Sequence, residues 1–312
     1  MTHKRGSKFT RVISVVLALL LVVVLTASAI SCGQKGEASG KVGVVVSILP
    51  LADFVENVGG EKVEVSVMVP PGASPHTYGP IPSQVAALAR AKLYAKVGSG
   101  IEFELVWMDK LVAMNEEMLV VDCSRGVQLI EMVGEDTHEG REAERESDHH
   151  GVMDPHIWLS PLNAKIMVQN VYDGLVQVDL SNKAYYEQNR DTYLQKLTKL
   201  DQDIRDGLSR VNNRKFMVYH PAFGYFAKEY NLTMLPIEAE GKEPTAAGMA
   251  HLIEQAKEHN VKVIFASPQF NPQSAEVIAK AIGGRVVFID SLARDYIINM
   301  RMLLHELVQA KE

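Results

Sequence analysis

The stretch "SNKAYYEQNRDTYLQKLTKLDQDIRDGLSRV", residues 181–211, decides the architecture of the chain. Its apolar residues recur mainly at steps of three and four, at Tyr186, Tyr193, Leu197, Leu200, Ile204, Leu208 and Val211. This spacing predicts one amphipathic helix of roughly 45 Å, at about 1.5 Å per residue. A helix of that length can run along two globular units and join them more rigidly than a flexible segment would.

Short apolar runs alternate with helical stretches on both sides of this helix. The runs before it are "KVGVVVSIL", "KVEVSVMV", "KLYAKVG" and "EMLVVDCS", and those after it are "KFMVYH", "LTMLPIEA", "VKVIFASP" and "RVVFID". Nearly continuous Val and Ile between helices is typical of parallel strands that are covered on both faces. We therefore predict an α/β fold with two lobes, residues 42–180 and 212–312. Each lobe is a four-stranded parallel sheet with flanking helices, and the linking helix 181–211 joins them.

The first residues of the chain predict export. Basic residues at Lys4, Arg5, Lys8 and Arg11 precede an uncharged run that ends in "ASAISC" at Cys32. This order resembles a bacterial lipoprotein signal, with a signal peptide over residues 1–31 and a lipid on Cys32. The alternative is an uncleaved transmembrane anchor, because an apolar run of about 20 residues can span a bilayer. Both place the body outside the cytoplasm on a membrane, with residues 32–41 as a flexible tether.

Charge and cysteine content narrow the classes of partner. The whole chain has a formal net charge of -6, and without residues 1–31 there remain 28 Lys and Arg against 38 Asp and Glu, a net charge of -10. An acidic body argues against nucleic acid and favours a cation as the partner. If Cys32 is lipidated, Cys123 has no partner and no disulfide framework exists. Residues 130–154 are rich in charge and predict an exposed acidic loop.

Three histidines and one aspartate stand where ligands gather in a parallel sheet. His76, His156 and His220 each adjoin a proline, which restrains the local backbone, and Asp290 closes the last predicted strand. The carboxyl ends of parallel strands collect ligands, so all four can line one cleft between the lobes. Three imidazoles and a carboxylate suit zinc. From spacing alone, capping or packing roles at loop ends remain open, because no compact metal motif joins these residues.

From Val44 to the C-terminus the chain resembles the metal-binding lipoproteins that serve ABC importers of zinc or manganese. The likeness rests on "VSILPLADFVENVGGEKVEV", "PPGASPHTYGPIPSQVAAL", "DPHIWLSPLNA", "YHPAFGYFAKEYNL" and "VVFIDSL", in this order. It implies two α/β lobes joined by one long helix, with His76, His156, His220 and Asp290 as the metal ligands. The chain departs from the family pattern at Ser74, Ser160 and Ser267, where acidic residues are common, and at Ser291, where proline is common.

The resemblance implies transport rather than catalysis. We expect a monomer that captures a divalent ion in the cleft, zinc before manganese because the donors are mostly nitrogen, and delivers it to an ABC permease. In the acidic loop, His138, His149 and His150 either help to capture the ion or simply belong to a solvated loop. Two other classes of protein are the alternatives, a surface adhesin with a structural metal and a zinc-dependent hydrolase. A hydrolase would need a general base, for which Glu238, Glu240 and Glu243 are the candidates.

Overall fold

The computed structural model describes residues 40–132, 152–239 and 241–310. The predicted signal peptide, the lipidation of Cys32, most of the tether and the loop histidines His138, His149 and His150 lie outside the described residues. Within the described ranges, no helix has both the length and the apolar composition needed to cross a bilayer.

The N-terminal lobe is built on a four-stranded parallel sheet. Its strands are β1 (Val42–Val46), β2 (Val63–Val67), β3 (Leu93–Lys96) and β4 (Leu119–Asp122), in the order β2-β1-β3-β4. Its helices are α1 (Leu49–Gly59), α2 (Pro82–Leu88), α3 (Glu102–Val112) and α4 (Pro161–Val178). Val44, Val45 and Val46 of β1 are each at most 1% exposed. Successive strand residues point to opposite faces, so the sheet is covered on both, as predicted.

The linking helix α5 (Lys183–Ser209) has 27 residues and is therefore about 40 Å long. Its ends lie two residues inside the predicted bounds. The residues that it buries are Tyr186, Tyr193, Leu197, Leu200, Ile204 and Leu208, the apolar positions that the spacing marked out. One face of α5 packs against α1 and α4 of the N-terminal lobe. The predicted amphipathic helix is confirmed.

The C-terminal lobe repeats the arrangement of the first. Its strands are β5 (Lys215–Val218), β6 (Thr233–Pro236), β7 (Val263–Ala266) and β8 (Arg285–Phe288), in the order β6-β5-β7-β8 and all parallel. Its helices are α6 (Gly224–Glu229), α7 (Ala246–Glu258), α8 (Gln273–Ile282) and α9 (Tyr296–Gln309). The α/β fold with two four-stranded parallel lobes is thus confirmed.

The two lobes share part of one core. Helix α9 returns from the C-terminal lobe to pack along α5, and the ring of Tyr296 meets the ring of Phe54 in α1 edge-on at 5.2 Å. Trp158 of the N-terminal lobe donates its indole N–H to the carbonyl of Ser291 at 2.7 Å. Buried residues of both lobes form a single hydrophobic cluster, and a second cluster lies within the C-terminal lobe alone. These contacts join the two lobes directly.

Candidate metal centre

Three loops bring the predicted histidines to the cleft. His76 lies in the loop between β2 and α2, His156 directly precedes the 3-10 turn Ile157–Leu159 that leads into α4, and His220 follows β5 by two residues. Each sits beside the proline that the sequence places there, which limits the paths that the loop backbone can take. The fold therefore collects in one place three side chains that are far apart in the sequence.

The three imidazoles are close enough to share one ion. One ligand atom of each histidine lies within 4.8 Å of the ligand atoms of the other two. The Nε2 atoms of His156 and His220 are 3.2 Å apart, and the ring of His76 lies 5.2 Å from that of His220. Over the described ranges, no second group of three His, Cys, Asp or Glu side chains comes together in this way.

Each histidine is paired with a carboxylate through its other ring nitrogen. The Nδ1 atoms of His76, His156 and His220 lie 2.8 Å from Glu102, Asp154 and Glu238 in turn. A carboxylate accepts the hydrogen bond from Nδ1–H, so that each Nε2 keeps its lone pair for an ion. Three such pairs facing one point form the arrangement that proteins use to orient histidine ligands.

The surroundings of His76 and His220 shift their pKa values in opposite directions. Burial lowers the pKa of His220, although its hydrogen bond with Glu238 offsets part of this fall. The hydrogen bond with Glu102 raises the pKa of His76. His220 is therefore neutral and ready to coordinate at neutral pH, while His76 holds a proton more readily as the pH falls.

Aromatic side chains hold two of the imidazole rings in place. The ring of Phe270 stacks on His220 with centroids 4.6 Å apart, and Trp158 meets His156 edge-on at 5.4 Å. The three histidines line one small cavity, which we call the histidine pocket. Its other lining residues are Phe270, Trp158, Gln269, Pro75, Pro155, Ile101, Glu102, Ser291 and Leu292. Its mostly apolar walls limit the access of water and strengthen any interaction with a cation inside.

Asp290 stands outside the histidine group in this conformation. Its Oδ1 accepts hydrogen bonds from Nε2 of Gln269 at 2.7 Å and from the backbone N–H of Leu292 at 2.8 Å. Asp290 lines an adjoining groove together with Leu49 and Arg294, whereas its neighbours Ser291 and Leu292 line the histidine pocket. The structure thus brings together three of the four predicted ligands and places the fourth beside them.

Sequence reasoning did not identify the carboxylate partners. Asp154 is fully buried, and its Oδ1 accepts from both the backbone N–H and Nδ1 of His156. Its other oxygen packs against Gly224 of α6, where an added Cβ would come within 2.3 Å of it. The sequence carried one signal, since Asp154 precedes His156 by two residues in "DPH". Glu102 and Glu238 join their histidines only through the fold.

The glutamates considered as catalytic bases have other partners. Glu238 holds His220, and Glu243 accepts a hydrogen bond from the hydroxyl of Tyr219 at 2.6 Å and another from Ser274. Glu240 lies outside the described residues. The two described glutamates are therefore both hydrogen-bonded to neighbouring side chains.

The serines that depart from the family pattern make local hydrogen bonds. Ser74 accepts from the backbone N–H of His76 at 3.3 Å, and Ser160 caps the first turn of α4 by accepting from Asn163. Ser267 donates to the carbonyl of Ile289 at 3.0 Å. These hydrogen bonds therefore stabilise the loops around the site.

Comparisons with known proteins place the chain among metal-uptake proteins. Residues 44–310 match the profile of the family described as "Zinc-uptake complex component A periplasmic". The chain is 32% identical over 280 residues to the high-affinity zinc uptake system protein ZnuA of Bacillus subtilis (strain 168), covering 89% of this chain and 87% of that protein. It is 27% identical over 278 residues to the zinc-binding lipoprotein AdcA of Streptococcus pneumoniae (strain ATCC BAA-255 / R6), but spans only 55% of that longer protein. The solved structure "Crystal structure of ZnuA" superposes with a TM-score of 0.78 at 38% identity, covering 87% of this chain and 100% of that one.

Proposed function

The chain belongs to the family of periplasmic zinc-uptake components A, and we propose that it captures a divalent transition-metal ion, zinc first, in the cleft between its lobes and delivers it to the permease of an ABC importer. The observation that carries this proposal is the convergence of three imidazoles, each backed by a carboxylate. It is a binding site without a bond-breaking step.

The proposed ligands are Nε2 of His76, His156 and His220, with Asp290 as the fourth, oxygen donor. Imidazole nitrogens suit a borderline ion such as zinc, while manganese prefers more oxygen donors. Zinc is therefore the first choice and manganese the alternative. Four protein donors leave little room for a reactive water, and Glu238 is already bonded to His220, so we propose no enzymatic activity.

Delivery follows from the two-lobe organisation, with residues 42–180 and 212–312 as the metal-binding lobes and 181–211 as the link. We propose that the protein acts as a monomer held at the membrane through a lipid on Cys32. A permease that binds both lobes can then change the width of the cleft and release the ion. The acidic loop with His138, His149 and His150 stands as a candidate for passing ions to the cleft.

The test is to purify the mature protein, measure its metal content, and titrate the metal-free form with zinc and with manganese. We expect one zinc per chain, bound more tightly than manganese. Alanine at His76, His156 or His220 should each abolish high-affinity binding. Alanine at His251, an exposed histidine of α7, is the matched control and should bind as the wild type does. Full binding in a pocket variant would remove that residue from the site.

A growth experiment separates transport from a purely adhesive role. Cells that lack the protein should grow poorly when zinc is chelated and recover when zinc is added. Normal growth under chelation would favour a surface adhesin with a structural metal instead.

A further inference from the structure

Gln269 stands between the histidine pocket and Asp290. Its side chain belongs to the lining of the pocket, and its amide nitrogen donates to Oδ1 of Asp290 at 2.7 Å. Asp290 itself is absent from that lining and faces the adjoining groove. Gln269 therefore shares the pocket lining with the three imidazoles and is hydrogen-bonded to the proposed oxygen donor.

The chemistry of the pair determines which way the amide of Gln269 points. An ionised carboxylate only accepts hydrogen bonds, so the NH₂ end of the amide must face Asp290 and the oxygen end must face away. That oxygen, Oε1, is buried, and it accepts no hydrogen bond from the described residues. A buried polar atom without a partner is uncommon in native proteins and indicates that a water or a ligand completes it.

The hydrogen bonds to Asp290 leave one of its oxygens available. Gln269 and the backbone N–H of Leu292 both donate to Oδ1, at 2.7 and 2.8 Å. Within the described part of the chain, Oδ2 accepts no hydrogen bond. Hydrogen bonds commonly hold a ligating carboxylate in place, so Oδ2 is the oxygen of Asp290 that remains to act as a donor for a cation.

We propose that Gln269 is a positioning residue for the fourth metal ligand. It holds Asp290 by Oδ1, so that Oδ2 is the oxygen offered to the ion. Its own amide oxygen then accepts a hydrogen bond from a pocket water that is not bound to the ion. This inference rests on the proposed function, because it assigns to Gln269 a part in the binding of the same ion.

The opposite role predicts the opposite result, which makes the proposal testable. If Gln269 merely held Asp290 back from the ion, removing the amide would free the carboxylate and tighten binding. If Gln269 orients Asp290, removing the amide weakens binding. The sign of the change in affinity therefore decides between the two roles.

The experiment compares zinc binding by the wild type, Gln269→Leu and the control Gln273→Leu. Gln273 is exposed at the start of α8, so its replacement tests the effect of the same substitution away from the pocket. We expect Gln269→Leu to bind zinc about 10- to 100-fold more weakly, the range found when an outer partner of a metal ligand is lost. X-ray absorption at the zinc edge should retain the imidazole signals and lose the ordered carboxylate oxygen. The melting temperature of the metal-free protein should not change.

A double substitution tests whether Gln269 acts through Asp290. In the Asp290→Ala background, Gln269→Leu should change zinc affinity by less than about twofold, because the group that it positions is already gone. Unchanged or tighter binding by Gln269→Leu, a lower metal-free melting temperature, or fully additive losses would each overturn the positioning role. Failure of the proposed function looks different, since the wild type would then bind no zinc and alanine at the histidines would have no effect.

Discussion

Replacing Glu238 by glutamine tests whether the buried carboxylates strengthen the metal site. Glu238 and His220 are 5% and 8% exposed, and the distance from Nδ1 to Oε1 is 2.8 Å. Glutamine keeps the size of the side chain and can still accept a hydrogen bond, but it lacks the negative charge. The charge makes Nε2 of His220 a better electron donor, so its loss should weaken the bond to the ion.

The size of the effect follows from the same contact. Losing an outer partner of this kind costs about 10- to 100-fold in metal affinity, or about 1.4 to 2.7 kcal/mol. Stability of the metal-free protein should behave differently. Exchanging a buried charge for a neutral amide of the same shape removes a cost of burial, so the melting temperature without metal should not fall.

The assay is competition for zinc between the protein and a chelator that changes colour on binding, with calorimetric melting of the metal-free protein alongside. Glu243→Gln is the matched control, because Glu243 lies on the same loop but bonds to Tyr219 rather than to a histidine. Wild-type affinity in Glu238→Gln, or an equal loss in Glu243→Gln, would refute the role assigned to the carboxylate.

Other predictions concern proton competition and packing. Zinc affinity should fall as the pH drops from 7.5 to 5, because the imidazoles must be neutral to coordinate the ion. His76 should be protonated before His220, since the pKa of His76 is raised and that of His220 is lowered. Constant affinity in a titration over this range would contradict a histidine site. Burial raises the pKa of Asp53 to about 6 from an unfolded value of 3.8, so the folded state binds the proton of this carboxyl more tightly than the unfolded state does. The contribution of Asp53 to the free energy of unfolding should therefore rise, by at most about 3 kcal/mol, as the pH falls from 6 to 4. Denaturant unfolding of Asp53→Asn should show a flatter pH dependence of stability between these values. Replacing the buried Leu200 of α5 by alanine should lower the free energy of unfolding by about 2–5 kcal/mol. Replacing the exposed Lys196 by alanine should change it by no more than about 0.5 kcal/mol. Equal losses would contradict the buried face of the helix.

The periodic parts of the fold could be predicted because burial repeats along the chain. In α5 the buried positions Tyr186, Tyr193, Leu197 and Leu200 are spaced by three, four or seven residues, with polar and charged residues between them. The sequence itself therefore contains the helical period. The strands were equally visible, since Val44, Val45 and Val46 in a row indicate a strand that is covered on both faces. These patterns can be recognised from the local sequence, without knowing which helix or strand packs against the segment.

The carboxylate partners could not be predicted, because their pairing exists only in three dimensions. His76, His156 and His220 could be expected in one cleft because ligands gather at the carboxyl ends of parallel strands. Glu102, the first residue of α3, pairs with His76 in the loop before α2, and no sequence spacing encodes that contact. Asp290 follows β8 as the sequence indicated, but its hydrogen bond with Gln269 depends on how two loops of the C-terminal lobe pack.

The core that joins Phe54 to Tyr296 has a consequence for how the chain folds. One partner belongs to the first helix of the described chain and the other to the last, so this contact forms only when nearly the whole sequence is available. Contacts between residues that are far apart in sequence slow folding, because a long loop must close before they can form. We therefore expect a nascent or truncated chain that lacks α9 to expose apolar surface on α1 and α5 and to be prone to aggregation. The addition of α9, the last helix of the C-terminal lobe, is therefore the step that covers this apolar surface.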